Sequence, residues 1–279
     1  MAVSDQFSPA VEVVPTVETV TSQEPDDTTS AIRRKYFDIR FMIAGSIAVL
    51  CYVIPVRWYQ GWAAWEYGTD STHPDFDKYW MTLLYAQLTA FVVIISIAVI
   101  GLWMTRDRNL KEISPEEELK RYMRLVGIAF VYAFMFVWAG SFFAEQDAAW
   151  HQVVVRDTSF TPSHIILFYG ATPAYIIMGA ITFMYATTRL PLFAKGISVP
   201  LVMVVIGPFL ILPNVGFNEW GHAFWFMEEY FTAPLHWGFV FFGWSILALG
   251  GVLVQIISRM SVLVGLEFGA EKSGVDGAD

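Results

Sequence analysis

Six apolar stretches, each long enough to cross a lipid bilayer, constrain the fold of this chain more than any other feature. They are Tyr36–Val56, Tyr79–Met104, Leu125–Ala144, His164–Thr187, Ile197–Val215 and Leu235–Ile257. A bilayer core of about 30 Å requires roughly 20 apolar residues per spanning helix. Hydrophobic residues make up 56% of the chain and charged residues only 15%, which argues against an ordinary soluble enzyme. The sequence therefore predicts an all-α, polytopic membrane protein with about six transmembrane helices.

The positions of the basic residues predict the orientation in the membrane, because cytoplasmic loops collect Lys and Arg. If the N-terminus is cytoplasmic, 14 of the 17 basic residues fall in segments on the cytoplasmic side. The outer segments keep only Arg57, Lys78 and Arg156. We therefore expect both termini to be cytoplasmic.

The two ends of the chain differ in composition from the rest. Residues 1–30 carry six acids and no Lys or Arg, which predicts a disordered acidic tail. They also lack the basic start and short apolar core of a signal peptide, so we expect the first span to be retained. The sequence thus divides into this tail, a transmembrane helical domain over residues 31–260 and a C-terminal tail over residues 261–279.

Helix signals in two places predict local features. Ser114 and Pro115 have the chemistry of an N-cap and a first helical position, which predicts a short amphipathic helix that ends at Arg124. The fifth apolar stretch contains Pro200, Pro208 and Pro213. Since proline removes a backbone donor, these residues predict kinks or breaks in that span.

Ionisable residues near membrane spans are costly, and a first group of them follows the third span. Asp147 and His151 are four residues apart, a spacing that places them on one face of a helix. His164 follows Pro162 and Ser163, which is typical of a helix start at the same membrane level. One carboxylate and two imidazoles form a ligand set compatible with copper, non-haem iron or zinc.

A second group repeats this pattern between spans five and six. Asn218 and His222 are again four residues apart, and His236 follows 14 residues later. An amide is a poorer metal ligand than a carboxylate, so this site would be weaker or would use Glu219, Glu228 or water. For both groups a proton relay or a structural hydrogen-bond network is an alternative to metal binding. A structural role is the interpretation for the fifth histidine, His73.

Several other kinds of site lack a sequence signature. The only cysteine is Cys51, so no disulfide framework and no CxxC motif is predicted. No Gly-rich phosphate loop, HExxH motif or nucleophile elbow is present. The basic residues are spread over the membrane loops, which makes a nucleic-acid partner improbable.

Longer motifs show a resemblance to a known family. They are AEQDAAWHQVVVRDTSFTPSH (144–164), RLPLFAKGIS (189–198), GPFLILPNVGFNEWGHAFWFMEE (207–229), APLHWGFV (233–240) and TRDRNL (105–110). Together they resemble the C subunit of the particulate methane and ammonia monooxygenases, which are copper-dependent membrane enzymes. The resemblance covers roughly residues 36–260.

The resemblance implies an O2-dependent hydroxylation by a trimer of three-subunit protomers in the cytoplasmic or intracytoplasmic membrane. The A and B subunits would be the partners and a quinol the electron donor, so this chain would not be active alone. It further implies that Asp147, His151 and His164 bind catalytic copper, and that Asn218, His222 and His236 form a proposed second copper site. Ammonia, methane and short-chain alkanes are all used in the family, and the residues do not choose among them.

Two hypotheses from other functional classes remain. A proton or ion transporter would use the same Asp and His residues without O2 or copper. A structural scaffold subunit would hold the partner chains together and would tolerate alanine at all six ligand positions. The position of Asp147 near the end of a span argues against transport.

Overall fold

The computed structural model describes residue 36 and residues 39–151, 160–210 and 245–275, and every regular element in them is helical. Helix α1 covers Ile39–Tyr67, and a π-helical turn, Asp77–Met81, leads into α2, Thr82–Met104. Helix α3 covers Pro115–His151. The next elements are α4, Pro162–Ile166, a π-helical turn, Leu167–Ala171, and α5, Thr172–Arg189. Then follow α6, Pro191–Ala194, α7, Val199–Ile206, a 3-10 turn, Gly207–Leu210, and α8, Ser245–Val275.

The long helices confirm a polytopic, all-α membrane protein. Within the described residues five helical segments are long and apolar enough to cross a membrane. They are Ile39–Tyr67, Asp77–Met104, Pro115–Ala139, Pro162–Arg189 and Leu247–Leu266. Each of these segments overlaps one of five of the six stretches that hydropathy predicts, and the last overlap is partial, over residues 247–257 of the predicted Leu235–Ile257. The count of six spans and the cytoplasmic termini stay predictions.

The remaining stretch, the fifth along the chain, contains shorter helices. Helix α7 begins at Val199 with Pro200 in its first turn, and the α-helix gives way at Gly207 to a 3-10 turn that contains Pro208. This change agrees with the effect expected of proline. Pro213 lies outside the described residues, as does the acidic tail over residues 1–30. At the other end, α8 continues to Val275, through most of the segment that composition assigns to a C-terminal tail.

The prediction for the start of α3 is confirmed and the prediction for its length is wrong. The Ser114 hydroxyl accepts a hydrogen bond from the Glu117 N–H at 3.3 Å, as an N-cap does. The helix does not end at Arg124 but continues without interruption to His151. The residues after Arg124 contain no proline and no adjacent glycines, so nothing ends the helix where it enters the apolar span.

Helices α3 and α5 form the centre of the bundle. In the apolar windows of the α3 and α4–α5 segments, 50% and 61% of the residues are buried, against 11% in each of the α1 and α2 segments. Helix α1 packs on α3, α2 packs on α5, and α8 packs on α3 and α7. The outer helices present large apolar side chains such as Ile47 and Ile97 to their surroundings. Such surfaces suit lipid or another membrane subunit.

Charged side chains connect the helix ends on one side of the bundle, which we call the charged end. Arg121 pairs with Asp107 at 2.8 Å and donates to the backbone carbonyl of Arg189 at 3.1 Å. Arg189 in turn donates to the Thr105 hydroxyl at 2.6 Å. The Asn109 N–H and then the Arg121 guanidinium hold the pKa of Asp107 below its ordinary value. Asp107 is therefore ionised at neutral pH and ties the α2–α3 loop to α3.

A second ion pair at the charged end joins α3 to α8. Arg259 donates from Nε and Nη2 to the two carboxylate oxygens of Glu118, at 3.0 and 2.8 Å. The Glu118 side chain is 5% exposed and that of Arg259 is 35% exposed. This two-point geometry fixes the angle between the two groups.

The close approach of α5 and α7 depends on Gly179. A Cβ atom at this position would lie 2.7 Å from the Val204 carbonyl oxygen, which also accepts a hydrogen bond from the Tyr132 hydroxyl at 3.2 Å. Because that neighbour is backbone, the two helices would have to separate. We expect Gly179→Ala to lower the stability of the assembled complex by about 2 kcal/mol relative to Gly101→Ala, measured by thermal unfolding. A Cβ at Gly101 meets nothing within 4 Å, so equal unfolding midpoints for the two variants would contradict this packing.

Candidate metal centre at the end of helix α3

His164 lies in the short helix α4 and is almost fully buried. Thr161 precedes the helix with an extended backbone, and Pro162 occupies its first turn, as the sequence predicts for a helix start. The His164 side chain is 1% exposed, and its ring packs against Phe168 with 5.0 Å between the ring centroids. The following residues Ile165 and Ile166 are fully buried. The imidazole is thus shielded from bulk water by the protein itself.

Asp147 and His151 occupy the last two turns of α3, which ends at His151. The helix is continuous there, as the four-residue spacing of the two positions requires. Helix α3 also packs directly on α4, the helix that carries His164. The fold therefore brings together the two elements that bear the first predicted ligand set. The side chains of Asp147 and His151 lie outside the part of the chain that the structure describes.

The donor chemistry of the first set suits a transition metal, and its side-chain geometry stays a prediction. Among the side chains that are described, no group of three or more His, Cys, Asp or Glu residues lies close enough to hold a metal ion. Only His164 of the first set belongs to those side chains. The second set, Asn218, His222 and His236, falls within residues 211–244, outside the described residues. A carboxylate with two imidazoles remains compatible with copper, iron or zinc.

A polar contact within the membrane spans was not anticipated from the sequence. The Tyr52 hydroxyl of α1 donates to Gln87 Oε1 of α2 at 3.0 Å. Both groups lie against Gly170, in the π-helical turn six residues after His164, where a Cβ would come within 2.6 Å of Gln87 Oε1 and 2.8 Å of the Tyr52 hydroxyl. An amide inside an otherwise apolar span was the available signal, because such residues are rarely placed there without a role.

Two further buried polar atoms belong to this region, one on Gln87 beside Gly170 and one on Ser163, which precedes His164. Gln87 Nε2 and Ser163 Oγ have no hydrogen-bond partner among the atoms that the structure describes. Their residues are 6% and 2% exposed, and Ser163 adjoins His164 in the sequence. Burying an unbonded polar group is unfavourable, and π-helical turns such as the one at Leu167–Ala171 are frequent at functional sites. The surroundings of His164 are therefore more polar than a helix interface built only for packing.

A substitution at Gly170 tests the close contact of this glycine with Tyr52 and Gln87. An added methyl group would displace the ends of the Gln87 and Tyr52 side chains and break the hydrogen bond between them, so we expect Gly170→Ala to destabilise the segment around the π-helical turn by about 1 kcal/mol. Hydrogen exchange followed by mass spectrometry should show faster exchange over residues 162–175. Gly250→Ala in α8, where a Cβ meets nothing within 4 Å, is the matched control. Unchanged exchange in both variants would contradict a close contact at Gly170.

Comparison with known proteins gives one result that covers most of the chain. Residues 23–267 match the family described as the C subunit of ammonia monooxygenase/methane monooxygenase. The matched range includes α1 to α7, most of α8 and all six predicted ligand positions. A search of curated proteins finds no match. The resemblance seen in the sequence motifs is confirmed at the level of the family.

Proposed function

The chain belongs to the family formed by the C subunit of ammonia and methane monooxygenases, and from this membership we propose that it supplies a copper site to a membrane monooxygenase complex. Family membership makes the chain a membrane subunit of such a complex. The proposal adds the metal, its ligands and the partners. The observation that carries the copper site is the buried His164 on a helix that packs against α3, the helix that also bears Asp147 and His151.

We assign the first copper site to Asp147, His151 and His164. Copper supplies the redox chemistry for activation of O2 when it is bound. The chain contributes one carboxylate and two imidazoles, and the buried packing around His164 excludes water from that side of the site. Asn218, His222 and His236 would form a second and weaker site, because an amide replaces the carboxylate.

The reaction inserts one oxygen atom of O2 into an N–H or C–H bond of ammonia, methane or a short-chain alkane. The second oxygen atom leaves as water, so each turnover consumes two electrons and two protons, which a quinol provides. A copper site at the membrane suits methane and short-chain alkanes, because apolar gases partition into lipid.

The partners in this proposal are the A and B subunits, arranged with this chain as a trimer of three-subunit protomers in the cytoplasmic or an intracytoplasmic membrane. The outer faces of α1 and α2 support the existence of such partners. Only 11% of the residues in each of these apolar segments are buried within the chain, which leaves long apolar surfaces for other subunits or lipid. Activity is therefore a property of the complex.

The same exposed surfaces favour a second candidate function, a scaffold that holds its partners without binding metal. A scaffold would require the faces of α1 and α2 but not the ligand residues. Alanine at Asp147, His151 and His164 would then leave activity intact. Alanine variants at these three positions therefore distinguish the two functions.

Product formation tests the proposed function. Copper-replete membranes that contain the complex are supplied with 18O2 and, separately, with ammonia, methane or butane. We expect 18O-labelled hydroxylamine, methanol or butanol from one of these substrates, with activity lost on copper chelation and restored by copper but not by zinc. An assembled, copper-replete complex that forms no O2-dependent product from any of them would overturn the proposal.

A further inference from the structure

A cavity of about 470 Å³ lies at the charged end, between α8 and the segment that joins α6 to α7. Its walls include the apolar side chains of Leu192, Ile197, Val254 and Val262. All four side chains are exposed, and Ile197 is 89% exposed. In a membrane protein, apolar walls open to the outside adjoin lipid chains or another subunit.

The other side of the same cavity is polar. Ser198, Ser258 and Arg259 line it, and the Ser198 hydroxyl donates to Gln255 Oε1 at 2.7 Å. Among the described residues, no Asp or Glu lines the cavity. Hydroxyl groups beside a guanidinium can bind phosphate oxygens, with two or more donors directed at one group.

The Arg259 side chain is held in place by Glu118, which lies outside the cavity lining. Its two hydrogen bonds to Glu118 use two of the five N–H groups of a guanidinium. Glu118 is 5% exposed and does not line the cavity, whereas Arg259 lines it and is 35% exposed. The carboxylate therefore orients the guanidinium of a partly exposed side chain that lines the cavity.

A second cation lies next to the cavity-lining segment in the sequence. Lys195 is exposed, adjoins the lining residue Gly196, and forms no ion pair with any residue in the described part of the chain. Since Glu118 balances the charge of Arg259, Lys195 leaves the site with a net positive charge. The charged end also lies where a headgroup would be, because Asp107, Arg121 and Arg189 mark the boundary between the spans and their loops.

We propose that this cavity binds the phosphate headgroup of an anionic phospholipid. The phosphate contacts Arg259 and Ser258, Lys195 compensates the lipid's charge, and an acyl chain follows Val254 and Val262 along α8. Basic pockets between helices at a membrane surface have this recognition chemistry. An amphiphilic ligand accounts for both the polar and the apolar walls. This site is separate from the proposed copper site and does not depend on it.

Native mass spectrometry of the delipidated complex tests this site, with phosphatidylglycerol and phosphatidylcholine of identical acyl chains as probes. We expect phosphatidylglycerol to be retained about tenfold more than phosphatidylcholine. The double variant Glu118→Gln/Arg259→Gln removes the cation without leaving a buried carboxylate unpaired, and Ser258→Leu fills the polar side. Both should abolish the preference. Lys120→Gln, which removes a cation of the same end paired with Glu116, should preserve it.

Three results of these measurements would overturn the lipid site. Equal retention of the two lipids by the wild-type complex would overturn the proposal and would favour a partner protein as the cover of the cavity. Displacement of phosphatidylglycerol by millimolar inorganic phosphate would also overturn it, in favour of a free phosphate. A loss of preference in Lys120→Gln equal to that in Ser258→Leu would overturn it too, because it would show a general charge effect. The measurement detects bound lipid and not enzymatic turnover. A negative result would therefore not bear on the proposed function.

Discussion

Replacement of His164 by alanine is expected to lower the copper content of the complex and to reduce turnover by at least about 100-fold. The reason is that His164 is 1% exposed, so neither water nor a solvent ligand can easily take the place of the imidazole. Asp147→Ala and His151→Ala should have the same effect, because each removes one donor of a three-residue set. Copper is measured by mass spectrometry of the purified complex, and turnover is measured with the preferred substrate.

A matched control comes from the histidine that is not assigned to either ligand set. His73 is exposed in the α1–α2 loop, and its Nδ1 accepts a hydrogen bond from the Asp75 N–H at 3.2 Å. His73→Ala should therefore leave copper content and turnover unchanged. Full copper content and full turnover in all three ligand variants, with the complex assembled, would support the scaffold function and contradict the metal site.

Loss of the Arg259 side chain is expected to have the largest effect on stability. Arg259→Ala removes the cation from the Glu118 carboxylate, which is 5% exposed in the intact pair, and breaking a buried ion pair in this way costs about 3 kcal/mol. Glu118→Ala should cost less, about 1 kcal/mol, because the Arg259 side chain is 35% exposed and can be solvated. Thermal unfolding of the assembled complex measures both effects.

The double variant Glu118→Ala/Arg259→Ala separates the interaction from the loss of each side chain. We expect it to be more stable than Arg259→Ala, because the unpaired carboxylate is removed as well. Lys120→Ala is the control for an exposed pair. Lys120 and Glu116 are 30% and 34% exposed, and their separation should cost at most about 0.5 kcal/mol. Equal losses in Arg259→Ala and Lys120→Ala would contradict a buried ion pair between α3 and α8.

Hydropathy predicted the long helices well because a spanning helix must satisfy its backbone hydrogen bonds internally and present an apolar surface. The Ser114 N-cap could also be predicted, since capping depends only on neighbouring residues in the sequence. The end of the following helix could not be predicted in this way. The change from polar to apolar residues at Arg124 resembles a helix boundary, but no helix-breaking residue is present there. Hydropathy marks where the membrane begins, and backbone chemistry marks where a helix ends.

Contacts between distant parts of the chain could not be predicted from the sequence. Tyr52 and Gln87 meet at Gly170 because three helical segments pack together, and nothing in the local sequence of any one of them specifies its partners. The pairing of Glu118 with Arg259 spans 141 residues and depends in the same way on the packing of α3 against α8. By contrast, the spacing of Asp147 and His151 is local, and the continuous α3 helix meets its requirement.

Pulsed electron paramagnetic resonance on the purified complex, labelled with 15N-histidine, tests the central claim most directly. The account predicts a copper(II) signal coupled to imidazole nitrogen in the wild-type complex, and the loss of that signal together with its share of the copper in His164→Ala. An identical spectrum and an identical copper count in the two complexes would contradict the assignment of a copper site to this chain.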